Sequence, residues 1–229
     1  KAVYNILFSA SAQTLLTIAR DPRHLGADIG FFSILHTWGQ NLLHHPHIHC
    51  VVTGGGISPD QQRWIQCRKN FFLSVRVLSR LFRRLFLAQL ATADLKFHGQ
   101  LTHLNNKAEL RRHIARTRKQ DWVVYAKAPF GGPDKAIEYL GRYTHKVAIT
   151  NHRLISDSNG KVSFRYKDYA SADPQRQRIM KLGADEFIRR FLLHTIPAGF
   201  QRIRHYGLCS IRNREANLKL CRELLEVPP

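Results

Sequence analysis

Acidic side chains are scarce in this chain. Sixteen Asp and Glu stand against 36 Lys and Arg over 229 residues, a formal charge of +20 with histidine neutral. That imbalance argues against a small neutral substrate as the main partner and for a polyanion. The deficit is uneven: residues 1–66 carry four basic and three acidic side chains, residues 67–229 carry 32 and 13, so the polyanion-holding surface is expected in the later two thirds. Cysteine is also sparse. Cys50, Cys67, Cys209 and Cys221 lie far apart and form no C-x-x-C pair, which speaks against a disulfide framework or a zinc knuckle and for free thiols in a reducing cytoplasm. No run of about eighteen apolar residues stands out as a bilayer span, and no signal-peptide pattern opens the chain, so a soluble protein is expected. Internal repeats, low-complexity tracts and obvious linkers are missing too. The chain begins at Lys1 rather than Met, and it is expected to be a fragment lacking an upstream module.

What is present suffices for a substantial core: 44% of residues are hydrophobic, enough for one large domain or a domain with an appendage. Ala2 to Phe8 reads as a strand, 11–20 as a helix stopped by Asp21-Pro22, and Ile29 to Gln40 as a second strand. A turn over Asn41 to Pro46 returns the chain into a histidine-bearing strand that ends at Gly54-Gly55-Gly56. Residues 73–92 place Leu78, Leu81, Phe82, Leu85, Phe86 and Leu90 at helical spacing. A basic helix is expected from about Lys107 to Arg118, a short buried strand at Trp122–Ala126, and a loop at Pro129–Pro133. A further helix is expected from Asp134 to about His145. Val147 to Ile149 reads as a strand, Arg153–Ile155 and Val162–Tyr166 as a hairpin, and 184–194 and 211–225 as helices joined by a Pro-Gly segment ending at Tyr206-Gly207. Such alternation with a clear hairpin predicts an α+β fold.

The chemistry concentrates in two places. His47 and His49 flank one apolar residue, so on a strand both imidazoles project to one face. Two nitrogen donors on a rigid face are most of a metal site; two half-buried hairpin histidines are the plainer alternative. Gln40, seven residues before His47, is a candidate third ligand that the turn would bring alongside. Two imidazoles and an amide oxygen leave positions for water and phosphate, which suits Mg²⁺ or Mn²⁺. Tyr139 and Tyr143 stand at i and i+4, on one face of a helix. A phenol attacking phosphorus would form a phosphotyrosine that conserves the phosphodiester bond energy. With a pKa near 10 it needs nearby positive charge, for which Arg142 and Lys146 are candidates. An aromatic stripe packed on the sheet is the alternative for the tyrosine pair. DNA holding is assigned diffusely to Arg111, Arg112, Arg116, Arg118, Arg189 and Arg190, with Trp122, Tyr166, Tyr169, Phe200 and Tyr206 as candidates to stack on unpaired bases.

These residues resemble a family. HPHIHC at 45–50 followed by VVTGGGIS, with YLGRYTHKVAITNHRL from 139, is similar to the two-tyrosine HUH transposases of the insertion sequence 91 family. The runs DPRHLGADIGFFSILHTWGQNLL, DWVVYAKAPFGGP and ADEFIRRFLLHTIPAGFQRIRHYG extend the likeness over nearly the whole chain. The resemblance implies an HUH endonuclease fold: a central antiparallel sheet flanked by helices, with the histidines on a middle strand. It implies one catalytic domain over 1–229 with a helical part from about 170, and no N-terminal zinc-binding module, which such transposases usually carry. It further implies a cytoplasmic, nucleoid-associated bacterial enzyme that cuts and joins single-stranded DNA at element ends in rolling-circle fashion, with His47 and His49 as the pair, Tyr139 and Tyr143 as nucleophiles, and a polar upstream ligand such as Gln40. A replication initiator or relaxase of the same chemistry, or an inactive DNA-binding remnant, remains the alternative.

Overall fold

The computed structural model describes residues 1–70, 72–127, 133–144, 148–168, 173 and 176–227, with the side chains of 134–139 and 141 in the stretch 133–144. The chain starts with a long helix, α1 (Ala2–Arg20), where the sequence suggested a strand at 2–8. Burial explains the difference: Phe8 and Ala19 are fully buried and Ala12 nearly so, positions four and seven apart that form one helical face running into the predicted 11–20 helix. α1 is also long and apolar enough, by length and composition, to cross a membrane. Here its apolar face packs into the core.

The central sheet is antiparallel with strand order β3-β2-β1-β7, where β1 is Asp28–Trp38, β2 His44–Ile57, β3 Trp64–Gln66 and β7 Ile203–Gly207. Cross-strand pairing sets its two faces. Phe31, Ser33 and Leu35 oppose Val52, Cys50 and Ile48, while Ile34 and His36 oppose His49 and His47. Phe31, Cys50 and Val52 join the main core with Ala12, Ile18, Leu73 and Leu78, so α1 and α2 (Val75–Thr92) cover that face. The opposite face carries the histidines.

α3 (Lys107–Thr117) begins where the Asn106 side chain accepts from the Ala108 and Glu109 amides, an N-cap that satisfies two orphan donors. Trp122–Ala126, read as a buried strand, is irregular and pairs with neither sheet. α4 (Pro133–Thr144) opens on a proline with Asp134 in its first turn, both favourable at a helix N-terminus. Ala148 and Ile149 are buried in a bend rather than a strand; Val147 and the loop at 129–132 lie outside the described residues. A second antiparallel sheet follows, β4 (Leu154–Ser158), β5 (Lys161–Lys167) and β6 (Gln177–Gly183). Its first turn has Asn159 and Gly160 at φ 52° and 68°, the left-handed pair a two-residue hairpin demands. α5 (Ala184–Leu192) and α6 (Arg214–Leu224) complete the fold. The stretch after 170, expected to be helical, therefore also contains β6 and β7. The whole is a mixed α+β arrangement of an antiparallel four-stranded sheet and helices, as an HUH-like fold requires.

Candidate metal and tyrosine site

The β1–β2 hairpin sets His36 directly across from His47, two pairs along from His49 and on the same face. His36 is buried, and His47 and His49 are half-buried. One ligand nitrogen from each lies within 4.8 Å of the others, and the Nε2 atoms of His47 and His49 are 3.0 Å apart. Two nitrogens at right angles about an ion at about 2.1 Å are separated by about 3.0 Å, so the spacing fits a divalent cation.

Hydrogen bonds orient the donors. His47 Nδ1 is 2.7 Å from the His45 carbonyl oxygen, which can only accept, so Nδ1 carries the proton and a neutral ring turns its Nε2 lone pair toward His49. The Trp38 ring stacks on His36, centroids 4.9 Å apart. Burial pushes His47 below the usual imidazole range. It pushes His49 down to about 3, helped by repulsion from His36 and His47. Both rings are thereby kept neutral, with a lone pair available, at neutral pH.

α4 presents a phenol to this cluster: Tyr139 Oη lies 3.1 Å from His49 Nδ1. His49 thus links, through its two ring nitrogens, His47 and the tyrosine. Tyr143 and Arg142 stand on the last turn of α4, with side chains outside the described residues; Lys146 also lies outside them. Gln40 stands in the turn beyond the end of β1 at Trp38, where its carbonyl accepts from Arg153. The histidine opposite His47, His36, brings a third imidazole nitrogen to the pair. Counting equal steps outward from the centre of the turn pairs residue 36 with 47, a signal present in the sequence but unused.

The proposed DNA contacts divide. Arg111, Arg116 and Arg118 are exposed along α3 and its end, and Arg112 pairs with Glu109. Arg189 pairs with Glu186 at 2.6 Å. Arg190 is tied into the fold, bonding Glu186 at 2.7 Å and the Asn41 carbonyl at 3.3 Å. Of the stacking candidates, Trp122 lies between Phe82 and Phe86, Tyr206 stacks on Phe31, Phe200 packs on Tyr4 and Phe8, and Tyr166 joins the core under the second sheet. Tyr169 lies outside the described residues.

A helix-flanked antiparallel sheet, with histidines either side of Ile48 and a helical tyrosine against them, defines an HUH-like class of protein. The sequence matches the Y2_Tnp family, described as "Putative transposase", over residues 30–217, and the chain belongs to that family. It is 59% identical over 227 residues to "Putative transposase y4qJ" of Sinorhizobium fredii (strain NBRC 101917 / NGR234), covering 97% of this chain and 56% of that protein. It is 29% identical over 211 residues to "Transposase for insertion sequence element IS801" of Pseudomonas savastanoi pv. phaseolicola, covering 90% of this chain and 48% of the relative. The chain thus spans about half the length of these curated relatives. No solved structure matches.

Proposed function

We propose that this chain is the catalytic region of a DNA transposase of the two-tyrosine insertion sequence 91 type, a cytoplasmic enzyme that nicks and rejoins single-stranded DNA. The observation that carries the reading is the contact between Tyr139 Oη and His49 Nδ1 beside the convergent imidazoles. His36, His47 and His49 would hold one Mg²⁺ or Mn²⁺, which as a Lewis acid polarises the scissile phosphate. With its Nε2 lone pair turned inward, a neutral His49 keeps its proton on Nδ1 and donates it to Tyr139 Oη. That donation orients the phenol and steadies negative charge on Oη as its own proton leaves to solvent. Tyr139 Oη then bonds to phosphorus as the P–O3′ bond breaks, leaving a 5′-phosphotyrosine and a free 3′-hydroxyl. Tyr143, one turn along the helix, is the second nucleophile, and Arg142 and Lys146 are phosphate contacts. Membership of the transposase family favours this over the replication initiator or relaxase.

The test is covalent capture of an end-labelled single-stranded oligonucleotide carrying the element's end, read on a denaturing gel with peptide mapping by mass spectrometry. Tyr139→Phe and Tyr143→Phe should each retain some adduct and fail at complete strand transfer, and the double variant should form none. An adduct persisting in the double variant, or mapping to Tyr125, Tyr166 or Tyr206, would sink the assignment.

A further inference from the structure

Between α3 and α4 the chain from Asp121 to Lys127 belongs to no helix and to neither sheet. Its inward side is braced. The Trp122 ring sits against Phe82 and Phe86 of α2 at centroid distances of 5.4 and 5.3 Å, its carbonyl accepts the Ser79 hydroxyl at 2.5 Å, and Val124 packs on the main core. Burial alternates along it, Trp122 and Val124 half-buried, Val123 and Tyr125 exposed. Val123 is 95% exposed and Tyr125 79%. Two large side chains thus stand close together in solvent on a segment held from within, a surface that a partner can cover.

The surroundings select that partner. Arg118 and Lys119 precede the strip and Lys127 follows it, all exposed. The acid between them, Asp121, faces Arg83 at 3.7 Å. An aromatic ring flanked by cations, on a chain of charge +20, matches how unpaired nucleic acid is held: bases stack on the ring and phosphates meet the cations. A duplex hides its base faces and gains only the charge.

We propose that Val123 and Tyr125 form a stacking platform for the bases of a single strand entering the site, with Arg118, Lys119 and Lys127 on its phosphates. The proposal rests on the single-strand reading above and adds the surface that makes the preference. The sequence pointed to Trp122 for such stacking; the structure turns Trp122 inward and Tyr125 outward.

Fluorescence anisotropy of the full chain with three probes tests it: a labelled oligo-dT 20-mer, an abasic strand of equal length, and a duplex. The wild type should bind oligo-dT more tightly than either of the others. Tyr125→Ala should weaken oligo-dT binding by about tenfold, within the range for losing one base–aromatic stack, and leave the abasic strand unaffected. Tyr125→Phe should bind as wild type. Circular dichroism should be unchanged in both variants, since the ring touches little of the fold. If Tyr125→Ala binds oligo-dT as wild type while the single-strand preference persists, the platform alone falls. If the wild type binds duplex as tightly as oligo-dT, the single-strand reading falls with it. If Tyr125→Ala instead abolishes self-association in sedimentation with oligo-dT affinity intact, the strip belongs to a second copy and the proposal is overturned.

Discussion

His49 has one nitrogen toward His47 and the other toward Tyr139, so its removal should disturb metal and nucleophile together. His36 stands across the hairpin from His47. We expect His36→Ala and His49→Ala each to weaken Mn²⁺ binding at least tenfold, measured by calorimetry on the DNA-free protein. At saturating Mn²⁺, His36→Ala should recover part of its adduct formation, and His49→Ala should recover less. Equal recovery would remove His49 from the positioning of Tyr139. Elsewhere, buried His194 donates from Nε2 to the Leu42 carbonyl at 3.1 Å, and its Nδ1 lies 3.2 Å from the Thr37 hydroxyl. Burial, first of its causes, lowers its pKa. Below about pH 6.5 the unfolded chain therefore binds a proton that the folded one refuses, so stability rises with pH toward neutrality and is lost as pH falls through that window. Urea unfolding between pH 5 and 7.5 should show this. His194→Asn should reduce the slope by up to one proton, about 1.4 kcal/mol per pH unit. At this scale the sequence was most legible where chemistry is local: His47, His49 and Tyr139 announce themselves by spacing. His36 did not, because its role depends on which residue lies across a hairpin.

Elements were legible where one periodicity ran long enough to bury a face. α2, α3, α4 and the β4–β5 hairpin stand close to where their patterns put them. The failures have physical causes. Ala2 to Phe8 alternates as a strand might, but Phe8, Ala12 and Ala19, four and seven residues apart, share one buried face only on a helix. Trp122–Ala126 joins no ladder, because Trp122 and Val124 pack on α2 and the core instead. β7 carries Arg204 and His205 within five residues and pairs with β1 from far along the chain, so no local signal marks it. One residue shows how that pairing is secured. Gly207, at φ +57°, would place an added Cβ 1.9 Å from the Ile29 carbonyl oxygen. Gly207→Ala should therefore cost at least about 2 kcal/mol in chemical denaturation, from backbone strain plus the clash. An unchanged midpoint would mean that β7 can leave the sheet edge without consequence.

Across the whole molecule, the near-neutral first 66 residues hold the histidine hairpin, while the tyrosines and most cations come from the rest. Chemistry and grip are thus separable. Replacing Arg111 and Arg116 by Gln should weaken single-strand binding and make its salt dependence shallower by about 1.4 in log–log slope, at about 0.7 per lost phosphate contact. Adduct formation at saturating DNA should remain. A titration at several salt concentrations decides this, and an unchanged slope would move the grip off α3.

The hairpin also gives the site a parity. His36 belongs to one strand and His47 and His49 to the next, and each strand turns alternate residues to opposite sides. Adding a single residue to β2 between His49 and Gly54, with the rest of the pairing kept, would swing both of its imidazoles toward α1 and leave His36 facing α4 alone. Adding two would return them to the correct side, displaced by one repeat. The ability to gather three nitrogens is therefore held by an even or odd count along a strand, and tolerance to insertions in this hairpin should alternate accordingly.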